Sequence, residues 1–113
     1  MTTRILNCDV FDGLGQIPDH SVSMVVTSPP YYGLRSYGIE PRHWDDNSIC
    51  VLGEEPTVQL YVDHSVQVFR ELKRVLHPSG TFWLNIGDCY AGGGKHIEPI
   101  KYANCEKPAR TKQ

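Results

Sequence analysis

The sequence predicts an α/β fold in which a mostly parallel sheet carries helices. Met24-Val25-Val26 is a short apolar run of the kind that a sheet covered on both faces demands. Residues 57 to 76 repeat apolar side chains at helical spacing. Thr81-Phe82-Trp83-Leu84-Asn85-Ile86-Gly87-Asp88 is a second stretch rich in β-formers.

The chain begins with Arg4-Ile5-Leu6-Asn7-Cys8-Asp9, which has the pattern of a short strand ending in an acid. Val10 to Ile17 is a poor helix, interrupted by Gly13 and Gly15. Asp9 suits its N-terminal cap. Pro18-Asp19-His20-Ser21 is a turn, and the Met24 strand follows. A strand, a connection and a strand within about 25 residues are compatible with a right-handed parallel crossover. Pro29 and Pro30 lack the backbone N–H that a ladder needs, so they end the strand in a stiff elbow that throws Tyr31 outward. In an open α/β sheet, ligands bind at that strand edge.

Tyr31 to Val51 is rich in breakers and reads as a long loop. It carries Tyr32, Arg35, Tyr37, Arg42, His43 and Trp44. Basic residues interleaved with aromatics suit a nucleic-acid strand. A loop pinned to the domain by its aromatics fits the same residues. Thr57 is an N-cap candidate for the helix whose stripe is Val62, Val66, Phe69, Leu72 and Val75-Leu76. That stripe reads as core. Arg70, Glu71, Lys73 and Arg74 fall mainly on the other face, and His77-Pro78-Ser79-Gly80 stops the helix. Asp88 and Tyr90 fall at the last strand's C-terminal end.

The chain has 113 residues, 40% hydrophobic and 21% charged, which suits one small globular core. Its net charge of −2 argues against strong nucleic-acid binding by this piece alone, since phosphate contacts need clustered cations. Residues 1–94 form the expected domain. Residues 95–113 form a polar tail, expected to be disordered or the start of a further region. Cys8, Cys50, Cys89 and Cys105 lack zinc-site spacing and read as reduced thiols. No signal core or membrane span is evident, so the expected location is cytoplasmic. Gly92-Gly93-Gly94-Lys95 fails as a phosphate loop, because Cys89 stands where a glycine is needed and His96 where Ser or Thr is needed.

Ser28-Pro29-Pro30-Tyr31 after a strand resembles the catalytic motif of the DNA amino-methyltransferases. Gly33-Leu34-Arg35-Ser36-Tyr37-Gly38, Glu55-Pro56-Thr57 with Tyr61-Val62, and Leu76 to Gly92 resemble further family segments. The resemblance covers residues 4 to 94. It implies a partial Rossmann-like methyltransferase fold. It also implies methyl transfer from S-adenosylmethionine, without a metal, to an exocyclic amine of a base flipped out of double-stranded DNA.

By the same resemblance, Ser28, Pro29, Pro30 and Tyr31 are catalytic, and Asp9 and Val10 meet the cofactor. Tyr32, Arg35, Tyr37 and Tyr90 meet the substrate. Serine in the first motif position tilts the expected target to N4 of cytosine over N6 of adenine. The family's glycine-rich FxGxG-like loop does not occur here. The order of segments fits a permuted member in which that loop comes later. The chain therefore reads as the N-terminal portion of a longer methyltransferase, completed by a missing C-terminal half or a second chain. An inactive fragment is the competing reading.

Overall fold

The computed structural model describes residues 1–87, in two compact units. Residues 1–27 and 66–84 form the first; residues 28–65, with 85–87, belong to the second. The order of elements is α1 (Val10–Gly15), β1 (Val22–Thr27), β2 (Arg42–His43), β3 (Ile49–Cys50), α2 (Val58–Val75) and β4 (Leu76–Leu84). Helices and strands are mixed, and β1 pairs with β4 in parallel, as an α/β chain requires. Tyr90, Asp88 and the tail from residue 95 lie outside the described residues.

In the first unit, Asp9 caps α1 by accepting the Phe11 N–H at 2.9 Å. Two glycines keep the helix to six residues. The expected strand at residues 4–9 does not form: those residues join no ladder, and β1 takes β4 as its partner instead. A strand needs a neighbour as well as a suitable sequence.

The β1–β4 register aligns Met24 with Thr81, Val25 with Phe82 and Val26 with Trp83. Val25 and Phe82 share the face served by Phe69 and Leu72 of α2; these residues line an apolar cleft of about 290 Å³, and the Phe69 and Phe82 rings lie 5.3 Å apart. Met24, Val26 and Trp83 share the opposite face and are 58%, 70% and 61% exposed. That corrects the expectation of a strand buried on both sides, since no described element covers this face.

Helix α2 ends at Val75, and Leu76 already pairs with Val22. Only Ser23 separates Val22 from Met24, whereas His77, Pro78, Ser79 and Gly80 separate Leu76 from Thr81. The expected stop is thus a wide bulge inside β4. A Cβ on Gly80 would lie 2.7 Å from Leu76 Cδ1 and 2.9 Å from the His77 carbonyl oxygen, so this bulge needs glycine.

Arg74 leaves the solvated face that the sequence assigned to it. Its guanidinium donates to the Leu14 and Ile17 carbonyls at 2.9 and 3.1 Å. It also pairs with Asp19 at 2.6 Å and Glu71 at 2.9 Å. One side chain therefore ties the carbonyl end of α1 and the following turn to the last turn of α2.

The second unit corrects the long loop. Arg42–His43 and Ile49–Cys50 form a small antiparallel hairpin. Trp44, Ser48, Cys50 and Val51 within it are buried. The Trp44 indole donates to the Cys50 carbonyl at 3.0 Å, and the Arg42 guanidinium sits 5.8 Å over its ring. The aromatic anchor, one of the two readings of this loop, is what the Trp44 position shows. Cys8 is free and exposed, whereas Cys50 is disulfide-bonded, so the expectation of four reduced thiols does not hold.

Candidate functional site

The Ser-Pro-Pro-Tyr corner begins one residue after β1 ends. Ser28 is exposed, and Pro29 and Pro30 are half-buried. Tyr31 is not thrown outward. It is half-buried, and its hydroxyl lies 3.2 Å from Ser28 Oγ. A Cβ on Gly87 would lie 2.9 Å from Tyr31 Cδ2, so the ring rests directly on that glycine.

Two props hold the proline pair from behind. The Tyr61 hydroxyl donates to the Pro30 carbonyl at 2.8 Å. Gly53, at φ +94°, approaches so closely that a Cβ there would lie 3.1 Å from the Tyr31 carbonyl oxygen and 3.2 Å from Pro30 Cβ. The Gly53 carbonyl accepts the Gly33 N–H at 2.8 Å, and its own N–H donates to Glu55 Oε2 at 2.8 Å. Tyr61 is 5% exposed. Burial pushes its phenol up; a contact with Ser65 opposes this, and the charges of Glu55 and Tyr31 reinforce it.

Behind the corner, His64 is fully buried and joins three residues. Its Nδ1 lies 2.9 Å from Glu55 Oε1, and its Nε2 lies 2.9 Å from Ser48 Oγ and 3.1 Å from Asp46 Oδ2. Its ring stacks on Trp44 at 4.0 Å and 5°. Ser48, His64 and Glu55 have the spacing of a nucleophilic triad. They cannot act as one, because Ser48 is 1% exposed and its hydroxyl donates to Asp46 Oδ1. The cluster instead fastens the hairpin and Glu55 to α2. Burial alone would raise the Asp46 carboxyl, but hydrogen bonds from the Ser48 side chain and backbone and the nearby His64 ring hold it below 3.8.

Of the remaining predicted residues, Asp9 is exposed and serves as the α1 cap, with exposed Val10 beside it. The Tyr32 ring leans on Tyr61 at 5.6 Å and 40°. Arg35 and Tyr37 stand on an exposed stretch, with Tyr37 54% exposed. The sequence assigns no site role to Tyr61, His64, Gly53 or Gly87. A signal for two of them was present: Tyr61, His64, Ser65 and Val68 recur at helical spacing from the Thr57 cap.

The model of a DNA methylase family that spans N6 and N4 methylases matches residues 22–107. The chain belongs to that family. Among DNA methylases, it is 45% identical over 87 residues to the Type II methyltransferase M.XycI of Xanthomonas campestris pv. cyanopsidis, covering 77% of this chain and 26% of that protein. It is 40% identical over 87 residues to the Type II methyltransferase M.Cfr9I of Citrobacter freundii, covering 77% of this chain and 26% of that protein. It is 44% identical over 82 residues to the Type II methyltransferase M.SfiI of Streptomyces fimbriatus, covering 73% of this chain and 17% of that protein. The chain thus spans about a quarter or less of the curated methylases it matches. No solved structure matches it. Among the described residues, no helix is long and apolar enough to cross a membrane.

Proposed function

We propose that this chain supplies the base-holding part of an S-adenosylmethionine-dependent DNA methyltransferase, with N4 of cytosine the favoured acceptor and N6 of adenine the alternative. The observation that carries this reading is an exposed Ser28 oxygen at the end of β1, followed by a proline pair held from behind. An exocyclic amine is a poor nucleophile because its lone pair is delocalised into the ring. What it needs is two fixed acceptors for its N–H bonds, so that the lone pair turns to the incoming methyl carbon. Ser28 Oγ and the Pro29 carbonyl provide them, and rigidity is the catalytic contribution.

The Tyr31 hydroxyl stands at Ser28 Oγ where the amine would arrive. Binding therefore exchanges one hydrogen bond for another and frees the Tyr31 ring to stack on the base. Arg35 and Tyr37 on their exposed stretch, with Tyr32 and Tyr90, would meet the DNA. S-adenosylmethionine, when bound, would supply the methyl group from its sulfonium sulfur, which would leave as a neutral thioether while the amine gives up one proton to solvent. Asp9 and Val10 fit part of it: an exposed carboxylate beside an exposed apolar side chain suits the adenosine end. No metal is invoked. The remainder of the enzyme would come from further sequence or a second polypeptide.

In a complete enzyme carrying this segment, Ser28→Ala and Tyr31→Ala are expected to lower methyl transfer by about a hundredfold or more. Unchanged rates would overturn the assigned roles. Digesting the product DNA to nucleosides identifies the methylated base. Calorimetry of this chain alone with S-adenosylmethionine should show weak or no binding, and micromolar affinity would contradict the division of labour. A chain that carries no activity with any complementing piece would favour the inactive-fragment alternative.

A further inference from the structure

We infer that Tyr61 is a positioning residue for the base-holding corner, fixing the Pro29 carbonyl through the Pro30 carbonyl. The inference rests on the methyltransferase reading above. Between the Pro29 and Pro30 carbonyls lie a planar trans peptide bond and two torsions. The Pro30 ring locks φ, leaving Pro30 ψ as the only soft one. The Tyr61 hydroxyl takes the Pro30 carbonyl at 2.8 Å and thereby pins ψ. The direction in which Pro29 presents its oxygen then follows from the position of α2.

Tyr61 is well built for this task. Its ring is buried and leans on Tyr32, and its own carbonyl accepts the Ser65 hydroxyl at 2.7 Å. One turn along, His64 is locked to Glu55, and Glu55 holds the Gly53 N–H. Gly53 in turn packs against Pro30 and Tyr31. The same helical segment therefore reaches the corner by two routes, a direct hydrogen bond and a backed glycine. Tyr61 touches no reacting atom, so its effect is on geometry alone.

The test uses a complete methyltransferase carrying this chain, with Tyr61→Phe, which keeps the ring and removes the hydroxyl. The expected result is a kcat lower by about tenfold to a hundredfold, with KM for DNA and for S-adenosylmethionine held to within about twofold. A kcat within about twofold of the parent enzyme overturns the inference. Site-specific 3,5-difluorotyrosine at position 61 covers the case in which the Phe variant fails to fold. Its phenol ionises at lower pH and then cannot donate. The kcat should fall with rising pH in that variant and not in the parent; coincident profiles overturn the inference. The carbonyl carbon-13 resonance of Pro30, labelled in this chain, gives a readout free of activity. A shift on removing or ionising the Tyr61 hydroxyl supports the contact, and an unmoved resonance refutes it. If the parent enzyme transfers no methyl group while Pro30 responds, the function reading fails and the contact stands.

Discussion

The two halves of α2 bury their inner faces by opposite means. The N-terminal half hides Tyr61, His64 and Ser65, all polar, each through hydrogen bonds of 2.7 to 3.1 Å to named oxygens. The C-terminal half hides Val68 and Val75 and sets Phe69 and Leu72 toward Val25 and Phe82. Apolar burial is non-directional and rewards filled volume. Hydrogen bonds are directional, and a buried polar group left unpaired is costly. The polar half therefore fixes the direction of the groups it binds, the Pro30 carbonyl among them, and the apolar half supplies cohesion beneath the β1–β4 pair.

Deleting one anchor from each half separates the two modes of burial most strongly. His64→Ala leaves Glu55 buried and robbed of its partner, and should cost about 3–5 kcal/mol. Val75→Ala, at a site 1% exposed, removes two methyl groups and should cost about 2 kcal/mol. Urea denaturation of both variants checks the ranking. A His64 variant less affected than the Val75 variant would mean that the polar cluster adds little cohesion, and the contrast between the halves would fall.

The same contrast explains which parts of the molecule were legible in the sequence. Helix α2, the β1 strand and the proline corner announce themselves through periodicity, β-formers and the missing N–H of proline. The cap at Thr57 is confirmed, since its hydroxyl accepts the Leu60 N–H at 3.2 Å. Hydropathy places the stripe one step round the helix in its N-terminal half: Val62 and Val66 are 46% and 37% exposed, while Tyr61, His64 and Ser65 are inside. Hydropathy cannot see a polar residue whose partners arrive from a hairpin about fifteen residues away, and the hairpin itself has only two residues per strand. The oxygens that Arg74 binds, on Leu14, Ile17 and Asp19, are still more remote in sequence. Strand pairing is equally non-local, so residues 4–9 looked like a strand that no neighbour completed.

Smaller perturbations probe the corner itself. Gly53→Ala puts a side chain at φ +94° with a backbone oxygen 3.1 Å away, and should cost about 1–3 kcal/mol. Its effect on methyl transfer by a complete enzyme should exceed what that stability loss predicts, because the displaced atoms belong to Pro30 and Tyr31. Equal losses would place Gly53 in the framework only. Acid titration reads the cluster behind it. Asp46 is held below its ordinary 3.8, so the folded state gains stability above that value and loses it as pH falls through the lowered one. The difference in melting temperature between the parent chain and Asp46→Asn should therefore be constant at neutral pH and narrow only below about pH 4. With a side chain 35% exposed, the effect is small.

The smallest expected effect is the most discriminating about the helix register. Hydropathy counts Val62 as core, and Val62→Lys on that reading would bury a charge and unfold the chain. The structure leaves Val62 46% exposed on the face opposite the cluster, so the lysine reaches water and its stem covers neighbouring apolar surface. The expected change is within about 0.5 kcal/mol by urea denaturation. Val68→Lys, six residues on and 8% exposed, should instead be among the most damaging substitutions in the helix. If the two lysine variants behave alike, α2 is rotated from the position described, and the Tyr61 contact to Pro30 goes with it.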